Sequence, residues 1–335
     1  MTPEAPAATP VDVKKKNNLK RAIWALLAVF LLLLAALIYY VMAQRPITQA
    51  IPGVTQQPPR FVKSVFGKWT DLTGVATNRN GSRFYVCDTG DVKVWIVSKA
   101  GVVLGSFGKK GTPTAEEGFG APLSVAVGKS DQVYVADRIG ARVQIYSPLG
   151  KYIKQFRPQE NNFEWSPLGV ATDAQGNVYI SDAKKDEHRV LKFDPNGKLL
   201  LKFGTQGSKK GQFNYPNALA VDNTTGNIYV CDSNNFRIQI FDKKGKYISQ
   251  FGASGAGALT HPTAISLQFK SEVHVVESFG HDVQVYDLKG NHLYTFGKFG
   301  IADGQFRYPK GIAVAPDGTV FVSDHDNRRL QIWKY

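Results

Sequence analysis

Apolar and polar positions alternate in short runs along most of this chain, and the runs return roughly every 40–50 residues. One instance is Val133-Tyr134-Val135-Ala136-Asp137 followed by Arg142-Val143-Gln144-Ile145-Tyr146. It recurs as Ile228-Tyr229-Val230-Cys231-Asp232 with Arg237-Ile238-Gln239-Ile240-Phe241, and as Val320-Phe321-Val322-Ser323-Asp324 with Arg329-Leu330-Gln331-Ile332-Trp333. A β-branched and aromatic run closed by an acid, a polar loop and a second alternating run read as two paired strands. A period of this length points to a radial repeat rather than a single wound core.

Two more strands complete each unit. A first strand follows a Pro-x pair, as in Pro216-Asn217-Ala218-Leu219-Ala220-Val221, and a fourth ends in Phe or Phe-Gly at Phe107, Phe156, Phe203, Phe251 and Phe296. Six units run from about Thr70 to Tyr335, and the last stops after its third strand. The missing strand stands at the other end, since Arg60-Phe61-Val62-Lys63-Ser64-Val65-Phe66-Gly67 fits the fourth-strand pattern without a unit of its own. Pairing it with the last unit closes a ring and removes two sheet edges that would otherwise recruit other chains. The expected fold is all-β, a six-bladed β-propeller with N-to-C strand closure.

These units resemble NHL repeats. The motifs are Gly304-Gln305-Phe306-Arg307-Tyr308-Pro309, Gly311-Ile312-Ala313-Val314, Asp324 and Asn327-Arg328-Arg329-Leu330-Gln331, with a second good match in the fourth unit. Lys93 replaces the repeat arginine in the first unit, and Glu277 and Asp282 replace the Asp and Arg in the fifth. The resemblance implies a six-bladed propeller and no particular activity.

The first 59 residues follow other rules. Residues 1–21 form a Pro-, Ala- and Lys-rich tail without apolar periodicity, expected to be disordered and cytoplasmic. Residues 22–43 contain an uncharged apolar run expected to form one transmembrane helix, and residues 44–59, with four prolines, read as a linker to the propeller at 60–335. Lys14, Lys15, Lys16, Lys20 and Arg21 precede the run and Arg45 follows it, which places the propeller outside the membrane as a single-pass signal anchor. A cleavage site at Val41-Met42-Ala43 is the alternative and would give a secreted protein. The two cysteines, Cys87 and Cys231, hold the same strand position in units one and four, opposite in a ring of six, and read as two separate buried thiols.

Strand alternation sorts the loops by face. First-to-second and third-to-fourth turns are tight and share one face, while second-to-third and between-blade loops are long and share the other. Ligand binding is expected on the long-loop face at the channel mouth, with Asn217, Lys310, Phe236, Phe279, His281, Arg328 and His325 as contacts. Trp165, Tyr215 and Tyr308 lie in or beside these loops as further stacking residues, whereas Phe119, Phe163, Phe213 and Phe306 read as blade-to-blade packing. The tight turns carry Lys99, Lys129, Lys151, Lys198, Lys243, Lys244, Lys246, Lys270 and Lys289, a surface suited to anionic lipid. The chain begins the strand Arg60–Gly67 on that face. The strand-end acids Asp88, Asp137, Asp182, Asp232, Glu277 and Asp324 hold a fixed place in the repeat. They read as acceptors for loop backbone or for a neighbouring-blade arginine, and Arg142, Arg189, Arg237 and Arg329 are structural in the same sense.

Function is read by exclusion and analogy. No phosphate loop, nucleophile elbow, Cys-x-x-Cys or His-Glu-x-x-His is present. The first reading is a non-enzymatic binding or scaffold module for a protein, peptide or envelope glycan, without a cofactor. Peptide α-amidating lyases resemble this fold and use channel-mouth histidines with zinc. That makes a zinc-dependent lyase or hydrolase the alternative, with His261, His281 and His325 as metal candidates. The formal charge of +14 allows an anionic-polymer binder as a third reading, but nucleic acid does not suit the expected compartment.

Overall fold

A computed structural model describes residues 20–21, 23–35, 57–111, 117–157, 165–267 and 271–335. The chain divides into two units, Met1–Gln57 and Pro58–Tyr335. In the first, residues 20–21 and 23–35 are helical and their apolar side chains are exposed. No helix among the described residues is long and apolar enough to cross a membrane. Ala22 and residues 36–43 of the expected span lie outside the described residues, as do most of the tail and linker.

The second unit is a ring of six four-stranded antiparallel sheets. Blade 1 is Leu72–Thr77, Arg83–Asp88, Lys93–Ser98 and Val103–Phe107, inner strand to outer. Blades 2 to 5 follow in the same order from Pro122, Pro167, Pro216 and Pro262. Blade 6 takes its three inner strands from Pro309–Val314, Thr319–Asp324 and Arg329–Lys334, and its outer strand from Arg60–Phe66. The closing strand pairs antiparallel with Arg60 opposite Lys334 and Ser64 opposite Gln331. The inner strand of each blade packs on both neighbours, blade 6 on blade 1 included.

The core lies between blades rather than within one sheet. Val86, Phe84 and Val97 of blade 1 share a buried cluster with Phe321, Leu330 and Ile332 of blade 6, and the Phe84 and Phe321 rings stack at 3.7 Å. Burying both faces of every sheet explains why second and third strands read as near-continuous apolar runs instead of a clean alternation. The Phe-Gly signature has a packing cause. Gly108, Gly204 and Gly297 have φ of +85°, +88° and +81°, and a Cβ there would strike the rings of Phe119, Phe213 and Phe306. Those three phenylalanines are fully buried, and Phe163 lies outside the described residues. Cys87 and Cys231 are buried free thiols, and burial pushes both well above their ordinary pKa.

Every outer strand carries a one-residue irregularity at the same place. The unpaired residues are Leu104, Ile153, Leu200, Ile248, Leu293 and, in the closing strand, Val62. All six are aliphatic and 37–55% exposed. A bulge on an edge strand twists it out of reach of a second chain, which lets these aliphatic positions face solvent.

Candidate binding site at the channel mouth

A second ring of irregularities builds the site. In blades 2 to 6 the register shifts where the inner strand begins, between Pro122 and Ser124, Pro167 and Gly169, Pro216 and Ala218, Pro262 and Ala264, and Pro309 and Gly311. Blade 1 shifts between Leu72 and Val75. Bulges re-aim side chains at the rim of a closed sheet. Here they bring Thr73, Leu123, Leu168, Asn217, Thr263 and Lys310, one from each blade, around a cavity of about 520 Å³ on the long-loop face. Beneath them Val75, Val125, Val170, Leu219, Ile265 and Ile312 line both this cavity and a second one that opens among the tight turns. An apolar collar thus separates two mouths.

The mouth is not uniform. Blades 2 and 3 present Leu123 and Leu168. Facing them across the ring, blades 5 and 6 present Thr263 and Lys310 beneath a platform of rings. His261 stacks on Phe279 at 4.6 Å, and Phe279 meets Tyr308 edge-on at 6.1 Å. Burial, aided by the Lys310 charge, lowers the His261 pKa, so its imidazole is neutral at neutral pH. Asn217 and Arg138 add amide and guanidinium donors, and the Arg138 Nε lies 3.4 Å from Ser166 Oγ.

The acids of the mouth are already engaged. His325 Nδ1 lies 2.7 Å from Asp71 Oδ1, and its Nε2 is 3.6 Å from Asp326, which also faces Arg307 at 3.7 Å. The hydrogen bond from His325 holds the Asp71 carboxyl below the usual range. Lys310 is partly buried in the cavity wall, and among the described residues no carboxylate lies within ion-pair distance of it.

Of the residues expected from sequence, Asn217, Lys310, Phe279 and His325 line this cavity, whereas Phe236, His281 and Arg328 do not. Those three occupy the last position of the second-to-third loop, where all six blades turn through left-handed backbone: Val92, Ala141, Asp186, Phe236, His281 and Arg328 have φ of +49° to +64°. That position ends a loop of only two to four residues and contributes nothing to the ring of inner-strand bulges. The second-to-third loops are thus short rather than long as expected, and the long loops of this face are the between-blade ones. His281 Nδ1 instead accepts the Tyr308 N–H at 3.0 Å, and its ring packs on Phe299 and Tyr308. Trp165 is buried in the core against Phe156 and Phe193, and Tyr215 packs on His188. His261, His281 and His325 do not converge on a metal geometry. No group of three His, Cys, Asp or Glu side chains among the described residues does so. Sequence reasoning passed over Thr73, Leu123, Leu168, Thr263, Arg138 and Asp326. Four of these share the repeat position of Asn217 and Lys310, which was the available signal.

The strand-end acids point elsewhere. Asp137, Asp182, Asp232 and Asp324 contact Arg142, Arg189, Arg237 and Arg329 at 2.7–3.2 Å. Each arginine comes from the adjacent strand of the same blade, not from the neighbouring blade. The other expected donors, loop backbone N–H groups, do reach the acids, as at Asp137 and Asp232. The guanidinium then reaches the preceding inter-blade loop. Arg237 donates to the carbonyls of Lys209 and Gln212 at 2.9 and 3.1 Å, and Arg329 to those of Ala302 and Gln305 at 2.7 and 2.8 Å. Asp88 has no such arginine. It accepts from Thr70, the Asp71 and Asp91 backbones and the Trp95 indole. In blade 5, Glu277 accepts the N–H groups of Thr260 and His261 and stands opposite Asp282. Burial raises both carboxyls, Asp282 to about 6.

A closed six-bladed propeller with a cavity at each mouth defines the class. The repeats themselves are recognisable as the NHL repeat, matched at residues 213–241 and 306–333. Among curated proteins, the chain is 33% identical to Protein brain tumor of Drosophila melanogaster over 36% of this chain and 11% of that protein. It is 26% identical to peptidyl-glycine alpha-amidating monooxygenase B of Xenopus laevis over 66% of this chain and 27% of that protein. Those matches span only about a tenth to a quarter of the relatives' length. A solved streptogramin B lyase superposes with a TM-score of 0.59 at 13% identity, covering 81% of this chain and 96% of that one, a likeness of fold.

Proposed function

We propose that this protein is a membrane-anchored, extracytoplasmic propeller that binds a protein, peptide or envelope glycan at the long-loop mouth of its channel. The observation that carries this reading is the division of labour in the repeat. The strand-end acids and arginines are consumed in holding loops, while six inner-strand bulges turn side chains into an open cavity. Rigid scaffolds that aim unengaged polar and aromatic groups into one concavity are the usual form of a binding site. The uncharged run at 22–42, preceded by four lysines and Arg21 and followed closely only by Arg45, and exposed apolar side chains on helical residues 23–35, support the anchor. Lys129, Lys151, Lys198, Lys243, Lys244, Lys246 and Lys289 are exposed on the tight-turn face, which favours anionic lipid there. Lys99 is engaged with Asp317, and Lys270 lies outside the described residues.

Two experiments test the reading. Because both native thiols are buried, a Lys198→Cys variant reports topology: a membrane-impermeant maleimide should label it in intact cells. Labelling only after lysis would contradict an external propeller. A photoreactive residue at Leu168 should capture partner in membranes, while one at Lys198 should not; capture from Lys198 alone would move the site to the other face.

A lyase or hydrolase at the same mouth is the second reading, supported by the match to the amidating monooxygenase over 66% of the chain. The three histidines do not fit a shared zinc site, so no metal-dependent step is derived from them. Stoichiometric zinc in purified protein, lost in His261→Ala, would favour this reading.

A further inference from the structure

Resting on the reading of the mouth as a binding site, we propose that it takes a ligand carrying one anionic group on an aromatic or branched aliphatic body. The argument begins with charge. Asp71 is taken by His325, and Asp326 lies between His325 and Arg307. Lys310 stands partly buried in the cavity wall with no carboxylate in ion-pair contact among the described residues, although its charge reaches Asp71. A partly buried lysine gains more from a carboxylate, sulfonate or phosphate than a fully exposed one does. His261 is neutral beside it, so Lys310 is the one cation on the blade 5 and 6 side of the wall, and the other cation of the lining, the exposed Arg138, stands on the blade 2 side.

Shape supplies the second half. Blade 3 stands opposite blade 6 in a ring of six, so Leu168 faces Lys310, and Leu123 beside it faces Thr263. The floor is the apolar collar, and the His261–Phe279–Tyr308 rings flank the lysine side. A ligand that places its charge on Lys310 must therefore lay its remaining atoms on leucines and aromatic faces. Asn217, which makes no side-chain hydrogen bond among the described residues, completes the polar edge as an amide donor. A sugar would leave its hydroxyls against Leu123 and Leu168, and a bare inorganic anion would leave those leucines uncovered.

Naphthalene-2-carboxylate and naphthalene-2-carboxamide form a probe pair that differs in charge and little in shape. They would be titrated into the full-length chain in detergent, followed by leucine methyl resonances. The carboxylate should shift Leu123 and Leu168, leave the outer-strand Leu104 and Leu200 unmoved, and bind about tenfold more tightly than the carboxamide. Lys310→Gln should bring the two within about twofold of each other, and Lys310→Arg should keep the preference, with thermal melting showing that both variants fold. Equal binding of both compounds at Leu123 and Leu168 would overturn the anionic class while leaving the mouth a binding site. Failure of both compounds to move those leucines would overturn the mouth itself. A preference surviving in Lys310→Gln would remove Lys310 from the account.

Discussion

In blade 6 the Asp324 carboxylate receives the Arg307 N–H at 2.7 Å, the Asn327 amide, the Arg329 guanidinium and the Gln331 amide. In blade 5, next to it, the corresponding acid and arginine positions hold Glu277 and Asp282. Asp282 has the Gln284 amide at 3.0 Å and no cation partner among the described residues, and burial beside Glu277 lifts it to about 6. One blade locks its inter-blade loop with a guanidinium clamp; the other leaves two acids opposed. Blade 5 is also the blade that gives His261 and Phe279 to the mouth. Departures from a repeat's local rules tend to collect where a molecule binds something, because the interactions given up there are offset elsewhere in the ring.

The contrast can be broken most violently in blade 6. Asp324→Ala leaves a buried guanidinium without its carboxylate and should cost about 3–5 kcal/mol in urea unfolding. A loss under 1 kcal/mol, on this estimate, would show the clamp to be dispensable. The mirror change in blade 5 should go the other way. Asp282 has its folded pKa raised from 3.8 to about 6, so the folded state binds its proton more tightly than the unfolded state does. Blade 5 is therefore penalised above pH 6 and relieved as pH falls from 6 toward 3.8. Asp282→Asn should stabilise by on the order of 2 kcal/mol at pH 7.5, and the gain should shrink by pH 5. A destabilising outcome at pH 7.5 would contradict the opposed-acid reading.

Blade 5 has an opposing titration on its other side. His274 is fully buried, faces Glu272 and the Tyr335 hydroxyl, and is pushed down to about 3 by burial. Its unfolded form protonates near 6.5, so acid favours unfolding from 6.5 downward. His274 should therefore cost wild type about 1.4 kcal/mol between pH 7.5 and 5.5 relative to His274→Gln. Parallel pH profiles for the two proteins would refute this. The smallest effect concerns the tight-turn face. Replacing Lys198, Lys243, Lys246 and Lys289 with glutamate should weaken binding to anionic vesicles, most at low salt, while leaving the carboxylate probe at the mouth unaffected.

The repeat, the blade number and the closing strand were legible because strand period, turn glycines and strand-end acids recur in linear order. What was hidden lies in register. A bulge shifts pairing by one residue without changing composition, so apart from its place after the repeat proline nothing in Pro122-Leu123 or Pro167-Leu168 announces a leucine turned into a channel. Asn217 and Lys310 stood out because they are polar at an otherwise apolar position, and both line the cavity. Phe236, His281 and Arg328 looked equally exposed in sequence. Their left-handed backbone, a consequence of the turn rather than of side-chain type, keeps them out of the ring of bulges. Val62 shows the same limit: the closing strand pairs with Arg329–Lys334, but Val62 itself is the bulged residue and Ser64 meets Gln331.

The mouth exists only if the ring is shut, and the directly opposed pair Arg60 and Lys334 gives the most direct test of that closure. An Arg60→Cys/Lys334→Cys variant should oxidise to an intramolecular disulfide and unfold at higher denaturant than its reduced form. Absence of that bridge under oxidising conditions, or a bridge that forms only between chains, would contradict a propeller closed by its first strand.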